Sequence, residues 1–468
     1  MSLCIAQAQL TDTFDDRMPR PLGETLNRVE KMFGVRFKYE IDTTGLVLNF
    51  ANSRIRPYSL EETLQNILGP FDLKAWQQGN PKLYKIRGYE HCRRFDRDGE
   101  KLISWLESIV PDSTAWAVRR EMLRREARER LGLQPLLDQC VPLRPILGKV
   151  RRYDGYTVQN IALETLPGFY VCGTIYAPSS KGKHGVIICP NGHFKDGRYR
   201  EDQQQRMGVL ARMGAICIDF DSFAYGENLL QLQDVEPRQT PVQLHEHAMA
   251  MVLQVLSGER LLDYALTRKD VDPTRIGANG GSGGGTHAML LTLVDDRFTA
   301  SCPVVSICSH FDGGCPCESG IPIHRGELAD GTFLSSCNIE LGATFAPKPM
   351  MLVGDEGDWT HTYPTLELPF VERIYGFYES KESGEGLESK ESNFKHVFLP
   401  GERHDFGPNK RQAVYDFFAD VWNLDKSKLD ESKVTIEPYE NLYSFGNDAS
   451  KLPAGAIRSI DELGKFFK

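Results

Sequence analysis

No run of roughly 18 apolar residues occurs in the 468-residue chain, so nothing in it reads as a membrane-spanning helix. Basic residues are in the minority: 55 Lys and Arg against 64 Asp and Glu leave a net charge of -9. Binding to a phosphate backbone is driven by clustered cations that release counter-ions, so nucleic acid is not an expected partner. An even set of cysteines is also missing. There are 11, so at least one stays unpaired unless chains are cross-linked. Cys172, Cys189, Cys217, Cys302 and Cys308 lie in apolar strand-like runs, where a thiol packs as a small hydrophobe. Cys315-Pro-Cys317 is too tight for a mutual bridge, which leaves Cys337 as one possible partner. A zinc site there would need further ligands such as His310 or His324, and neither metal nor cofactor is expected. The charged front of a signal sequence is absent as well, yet residues 1–8, ending in Ala6-Gln7-Ala8, resemble the tail of one. The expectation is export to the periplasm or cell surface.

What is present exceeds what one core usually serves, so two domains are expected. Over residues 20–88, Leu22, Leu26, Val29 and Phe33 recur at helical spacing and Gly34 stops the helix. Val35 to Tyr39 alternates as a strand, and Leu46 to Phe50 reads as the next. Ser59-Leu-Glu-Glu62 is a capping box opening a second helix with Leu60, Leu64 and Ile67 or Leu68 inward. A hairpin around Gly79-Asn80 closes the module. This βαββαβ order resembles the small domain at the N-terminus of secretins and TonB-dependent receptors, which implies docking rather than chemistry. Residues 89–139 read as helices linking two domains, with the basic run at 119–130 expected to be a solvated face.

From residue 140 to 424 short apolar runs alternate with helix-length amphipathic ones, the pattern of a mostly parallel sheet with crossover helices. Residues 156–159 and 168–176 suggest a leading antiparallel pair, and 185–189, 215–219, 274–279, 348–354 and 394–399 further strands. Residues 201–213, 242–256, 259–266, 285–293 and 411–422 suggest helices. Within this frame Gly280-Gly-Ser282-Gly-Gly284 fits a nucleophile elbow, in which only small neighbours permit the tight strand-to-helix turn around the serine. A serine hydroxyl needs an imidazole base, and the imidazole an orienting carboxylate. In an α/β-hydrolase fold they follow in the order Ser, acid, His. Asp355-Glu-Gly-Asp358 offers several acids after one late strand, and His404 follows the last strand; His396 lies inside that strand and reads as structural. The oxyanion donors expected are the amides of Gly283 and of the loop Gly192 to Phe194, with His193 the chosen residue. His193 and His287 could also touch substrate or simply pack.

Arg275-Ile-Gly-Ala-Asn-Gly-Gly-Ser-Gly-Gly-Gly-Thr286, Gly313-Gly-Cys-Pro-Cys-Glu318 and Leu352-Val-Gly-Asp-Glu-Gly-Asp-Trp-Thr360 resemble the bacterial carbohydrate esterases termed acetylxylan-esterase-like, one branch of which demethylates pectin. The likeness implies an α/β-hydrolase fold, Asp358 as the acid ahead of Trp-Thr, and His404 as the base. The substrate it implies is an ester on plant polysaccharide. Methyl and acetyl esters share one kind of tetrahedral intermediate, so the acid-side pocket must separate them. Lys195, Arg198, Arg200 and Arg325 are cations placed to hold uronate carboxylates, favouring pectin methyl esters over acetylated xylan. A serine peptidase and a non-catalytic glycan-binding protein are the more remote readings. The charged repeat from Glu379 to Ser392 and most of residues 425–468 are expected to be solvated, with enough apolar residues after Leu442 to pack back.

Overall fold

The computed structural model describes residues 19–39, 41–71, 73–78, 80–88, 96–194, 196–232, 249–310, 325–327, 333–379 and 392–467, with only the backbone at 78, 325–327 and 333–334. The signal-like segment, Lys195, Cys315, Cys317, His324 and most of the charged repeat lie outside these residues. The chain divides into two compact units, Met1–His91 and Cys92–Lys468.

In the first unit the helix Leu22–Phe33 buries Leu22, Leu26 and Val29 and ends at Gly34, whose φ of 65° needs no Cβ penalty. Strand Arg36–Tyr39 runs parallel to Asn80–Gly88, which pairs antiparallel with Leu73–Gln78 as the expected hairpin. The strand predicted at 46–50 is shorter: only Val47–Leu48 pairs, with Arg20–Pro21. Phe50 turns into left-handed backbone at φ 57° and Ala51–Arg54 coils into a helical turn. The Ser59 hydroxyl caps the helix Leu60–Leu68 by accepting the Glu62 amide at 3.2 Å. The Ser59 amide goes to the Arg56 carbonyl at 2.9 Å, the bond the Glu62 side chain was expected to supply.

The second unit opens with helices α1 (Asp96–Ile109) and α2 (Ser113–Leu131). Its strands are β1 (Tyr156–Leu166), β2 (Phe169–Pro178), β3 (His184–Pro190), β4 (Ile216–Phe220), β5 (Val271–Gly281), β6 (Ala300–Val304), β7 (Met350–Asp355) and β8 (Phe394–Leu399). Between them run α3 (Glu201–Met213), α4 (Met249–Thr267), α5 (Gly283–Val294), α6 (Glu367–Glu379) and, last, α7 (Pro408–Trp422). Spatial order is β8-β7-β6-β5-β3-β4-β2-β1, parallel from β8 to β4 and antiparallel across β2 and β1. This is the α/β-hydrolase arrangement expected from the sequence. Alternate residues of β3 serve two cores: Val186 and Ile188 face the one beneath α1, α2, α4 and α5, while Ile187 and Cys189 face the one beneath α3 and α7. Where two helices were expected at 242–266, the described part forms the single α4. Free thiols at Cys172, Cys189, Cys217 and Cys302 are buried as predicted.

One expectation fails here because charge was read as exposure. Along the basic run, Arg119 pairs with fully buried Glu340 at 2.6 Å, Arg120 donates to the Thr344 carbonyl at 2.7 Å, and Arg124 donates to the Thr292 carbonyl at 3.1 Å. One side of α2 is thereby fastened to the rest of the unit rather than solvated. In the tail after Leu424, Leu442, Phe445, Ala449, Ile457 and Leu463 pack back as expected, and Val434 ahead of them is buried too.

Candidate active site

The end of β5 and the start of α5 place Ser282 on a corner with φ 55° and ψ −127°, backbone of a kind that costs about 1–3 kcal/mol for a non-glycine residue. The corner is held from both sides. The Ser282 amide donates to the Val304 carbonyl at 2.9 Å, and the Ser282 carbonyl accepts from the amides of Gly285 and Thr286 at 2.8 and 3.1 Å. A Cβ on Gly284 would collide with the Pro190 carbonyl, so glycine is what lets the first turn of α5 press against the end of β3.

From this corner an unbroken line of hydrogen bonds runs outward. His404 Nε2 lies 2.9 Å from Ser282 Oγ, and His404 Nδ1 lies 2.6 Å from Asp358 Oδ2. The other Asp358 oxygen accepts the amide and hydroxyl of Thr360, each at 2.6 Å. A carboxylate so placed only accepts, so Nδ1 carries the hydrogen and Nε2 presents its lone pair to the serine hydroxyl. The Asp358 side chain is 2% exposed and that of His404 25%. The acid end of the line is therefore sealed, and its imidazole middle reaches solvent.

The competing acids are committed elsewhere. Asp355 pairs with Lys410 Nζ at 3.0 Å and accepts the Gly357 amide; burial raises its pKa, nearby Asp358 adds to this and Lys410 opposes it. Glu356 accepts the Gly401 amide at 2.8 Å. Lys410, itself buried, also reaches Glu402 and Asp405 at 3.0 and 3.1 Å, so one ammonium staples the acid loop to the loop carrying His404. Sequence reasoning missed this staple, and it missed the aromatic walls: the Trp359 and Phe194 rings stand 4.5 and 6.0 Å from the His404 ring. Their adjacency to Asp358 and His193 was the available signal.

Gly283 is the first residue of α5, where a helix amide has no partner within its own helix. Opposite it the 191–194 loop comes so near that a Cβ on Gly192 would sit 3.1 Å from the Ser282 Cβ. That loop is anchored by Asn191, which donates to the Phe220 carbonyl at 3.0 Å and accepts from the Ser222 hydroxyl at 2.6 Å. The His193 ring stacks on Tyr225 at 5.7 Å. His287 is fully buried in α5, which leaves it no route to a substrate.

Arg198 is the clearest correction. It was expected at the substrate, but it is 1% exposed and its donors are spent inside: Asp221 at 3.0 Å, Glu227 and the Leu442 carbonyl at 2.9 Å, Tyr199 at 2.8 Å and Thr174 at 2.7 Å. Burial raises the carboxyls of Asp221 and Glu227 while the guanidinium pulls them down, the signature of a structural ion cluster. Arg200 differs. Its guanidinium lies over the Phe194 ring at 4.5 Å and pairs with Asp202 at 2.7 Å. With Arg403 and Tyr439 it lines an open groove of ≈ 460 Å³ beside the His404 loop. Arg325 stands on a short strand opposite Ser335, and its side chain lies outside the described residues. A larger cavity of ≈ 1120 Å³, lined by Pro349, Asn393 and Asp425 among others, sits at the ends of β7 and β8 away from the site loops.

Behind the acid loop stand Asp96, His310 and His361, with ligand-capable atoms within 4.8 Å of one another, a set of the kind that holds a metal ion. His361 is raised to about 9, chiefly by its bond to Asp96.

No family model and no curated protein matches this chain. Among solved structures, Methylesterase BT1017 is 55% identical to it over 98% of each chain, with a TM-score of 0.87. A glucuronoyl esterase from Solibacter usitatus (15% identity, 66% of this chain and 94% of that one, TM-score 0.42) is far more distant. So is a CE15 glucuronoyl esterase from Teredinibacter turnerae (14% identity, 66% and 86%, TM-score 0.43), and neither bears on the assignment. The protein is an α/β-hydrolase-fold carboxylic ester hydrolase. The chain belongs to the family of Methylesterase BT1017.

Proposed function

We propose that this protein is a serine carbohydrate esterase that removes methyl esters from uronic acids in plant cell-wall pectin. The observation that carries the reading is the line Ser282–His404–Asp358, closed at 2.9 and 2.6 Å, in a chain 55% identical to a methylesterase. Ser282 Oγ attacks the ester carbonyl carbon as His404 Nε2 takes its proton, and Asp358 steadies the imidazolium. The amides of Gly283 and His193 receive the oxyanion, helped by the positive end of α5. Collapse of the tetrahedral intermediate expels methanol, which leaves with the proton from His404. Water, activated by the same imidazole, then releases the free uronate and restores Ser282. Arg200, resting on Phe194, is placed to hold a neighbouring uronate carboxylate.

Export to the periplasm or cell surface belongs to the same proposal, since a polymer of that size is met outside the cell. A docking role for residues 20–88, after their likeness to secretin and TonB-receptor modules, belongs to it too. The deciding experiment is product analysis of digests of methyl-esterified pectin and acetylated xylan. Methanol release that vanishes in Ser282→Ala is expected. Acetate as sole product would replace the substrate and keep the mechanism; neither product would remove both.

A further inference from the structure

We propose that Asp96, His310 and His361 form a binding site for a zinc-like divalent transition ion that braces the loop carrying Asp358. The argument starts from where the ring nitrogens point. His361 Nε2 lies 2.9 Å from Asp96 Oδ2, and His310 Nε2 lies 3.4 Å from Asp96 Oδ1. Ligand atoms around a tetrahedral zinc with bonds of about 2.0–2.1 Å stand roughly 3.3 Å apart. Both distances to the Asp96 carboxylate lie near that edge length, and the three groups together fall within 4.8 Å of one another.

On His361 the opposite ring nitrogen is engaged in the way that orients metal-binding imidazoles, through an outer carbonyl. His361 Nδ1 is 2.7 Å from the Asp358 carbonyl, and His310 Nδ1 is 3.7 Å from Glu367 Oε1. Glu367 is in turn fixed by the Ser309 amide and the Thr362 hydroxyl at 3.0 and 2.8 Å. A hydrogen on His361 Nδ1, donated to the Asp358 carbonyl, makes Nε2 the ligand atom once the proton shared with Asp96 is displaced, and the Nε2 atoms of both rings face the Asp96 carboxylate. The two rings cross at 70° with centroids 5.7 Å apart, so they are not stacked on each other.

Access and charge fit an ion as well. The His310 side chain is 4% exposed, but Asp96 and His361 are 56% and 38% exposed, so two of the three groups are reachable from solvent. Two neutral imidazoles and two carboxylates, Asp96 bound directly and Glu367 behind, offset a dication. Imidazole ligands select zinc, cobalt or nickel over calcium and magnesium, which want oxygen. In the absence of the ion a proton on His361 spans the gap to Asp96, and binding displaces it. Because His361 holds the Asp358 carbonyl and Thr360 holds the Asp358 carboxylate, an ion here ties the acid loop to the start of α1. It takes no part in bond-making.

The test uses the full chain stripped with a chelator, titrated with zinc sulfate by calorimetry and with cobalt by visible absorption. One ion per chain is expected, with a rise in Tm on zinc addition and none on calcium addition. Affinity should fall by more than about a hundredfold in His361→Ala and in Asp96→Asn. Asp96→Asn keeps shape at a half-exposed position, so its metal-free Tm shows whether the fold is intact. Absence of zinc uptake, uptake unchanged in both variants, or calcium stabilising as well as zinc would each overturn the site.

Discussion

Two polar assemblies lie in the second unit, and each joins carboxylate and hydroxyl groups through a nitrogen-bearing side chain. Around Arg198, two carboxylates, a tyrosine, a threonine and a main-chain carbonyl satisfy the guanidinium on every side, and nothing is left over. Along Ser282, His404 and Asp358 the order is linear: the acid is sealed, the imidazole a quarter exposed, and the hydroxyl ends the line with the imidazole nitrogen 2.9 Å away. A closed ring of partners fixes shape, whereas an open line leaves a group with something still to do. Residue types alone do not distinguish the two; connectivity does.

The comparison breaks most sharply with Ser282→Ala, expected to lower kcat about 10⁴- to 10⁶-fold with Tm unchanged. Loss of Tm with activity intact would exchange the roles of the two assemblies. Asp358→Asn should cost about 10³- to 10⁴-fold in kcat by favouring the wrong imidazole tautomer, while Glu356→Gln, whose partner is a surface amide, should leave turnover near wild type. Steady-state kinetics on both variants decides which acid acts. Arg198→Met strands Asp221 and Glu227 without their counter-charge. We expect a stability loss of about 3–5 kcal/mol in denaturant unfolding, with kcat per folded molecule largely kept.

Smaller effects sharpen the contrast. Arg200→Ala should raise KM for uronate polymers roughly tenfold with little change in kcat, the loss expected of one charge-assisted contact. Equal KM values would take Arg200 out of recognition. The last case is Asp219, which accepts the Asn191 amide and lies in the field of Arg206 and Arg198. Burial raises its pKa to about 7 from 3.8. The folded state therefore keeps a proton that the unfolded chain loses, and this contribution is complete below about 3.8 and fades as pH rises through about 7. Melting curves across that window should show Tm falling less steeply in Asp219→Asn.

The sheet was legible because β3 and β7 are apolar runs flanked by glycine or proline, and the elbow because a strand-like run precedes the glycine-flanked serine and a helix-like run follows it. His404 followed from chain order. Chain order left Asp358 among several acids and the resemblance ahead of Trp-Thr singled it out; its neighbours are occupied by Lys410 and the Gly401 amide, partners more than forty positions away. Arg198 was misplaced because proximity in sequence to the 191–194 loop says nothing of depth. The basic side of α2 was misread because a helix with little amphipathic contrast can still be held by ion pairs to Glu340.

The Arg198 assembly also depends on residues that reach it from late in the chain. The Leu442 carbonyl accepts from Arg198, and the amides of Ser444 and Phe445 donate to Glu227 at 2.9 and 2.6 Å. During synthesis, Ser282, Asp358 and His404 all leave the ribosome before these partners do. A chain synthesised only as far as α7 would own its whole reactive line yet lack three bonds of the charge cluster, so residues 442–445 complete a knot whose other members are made long before them.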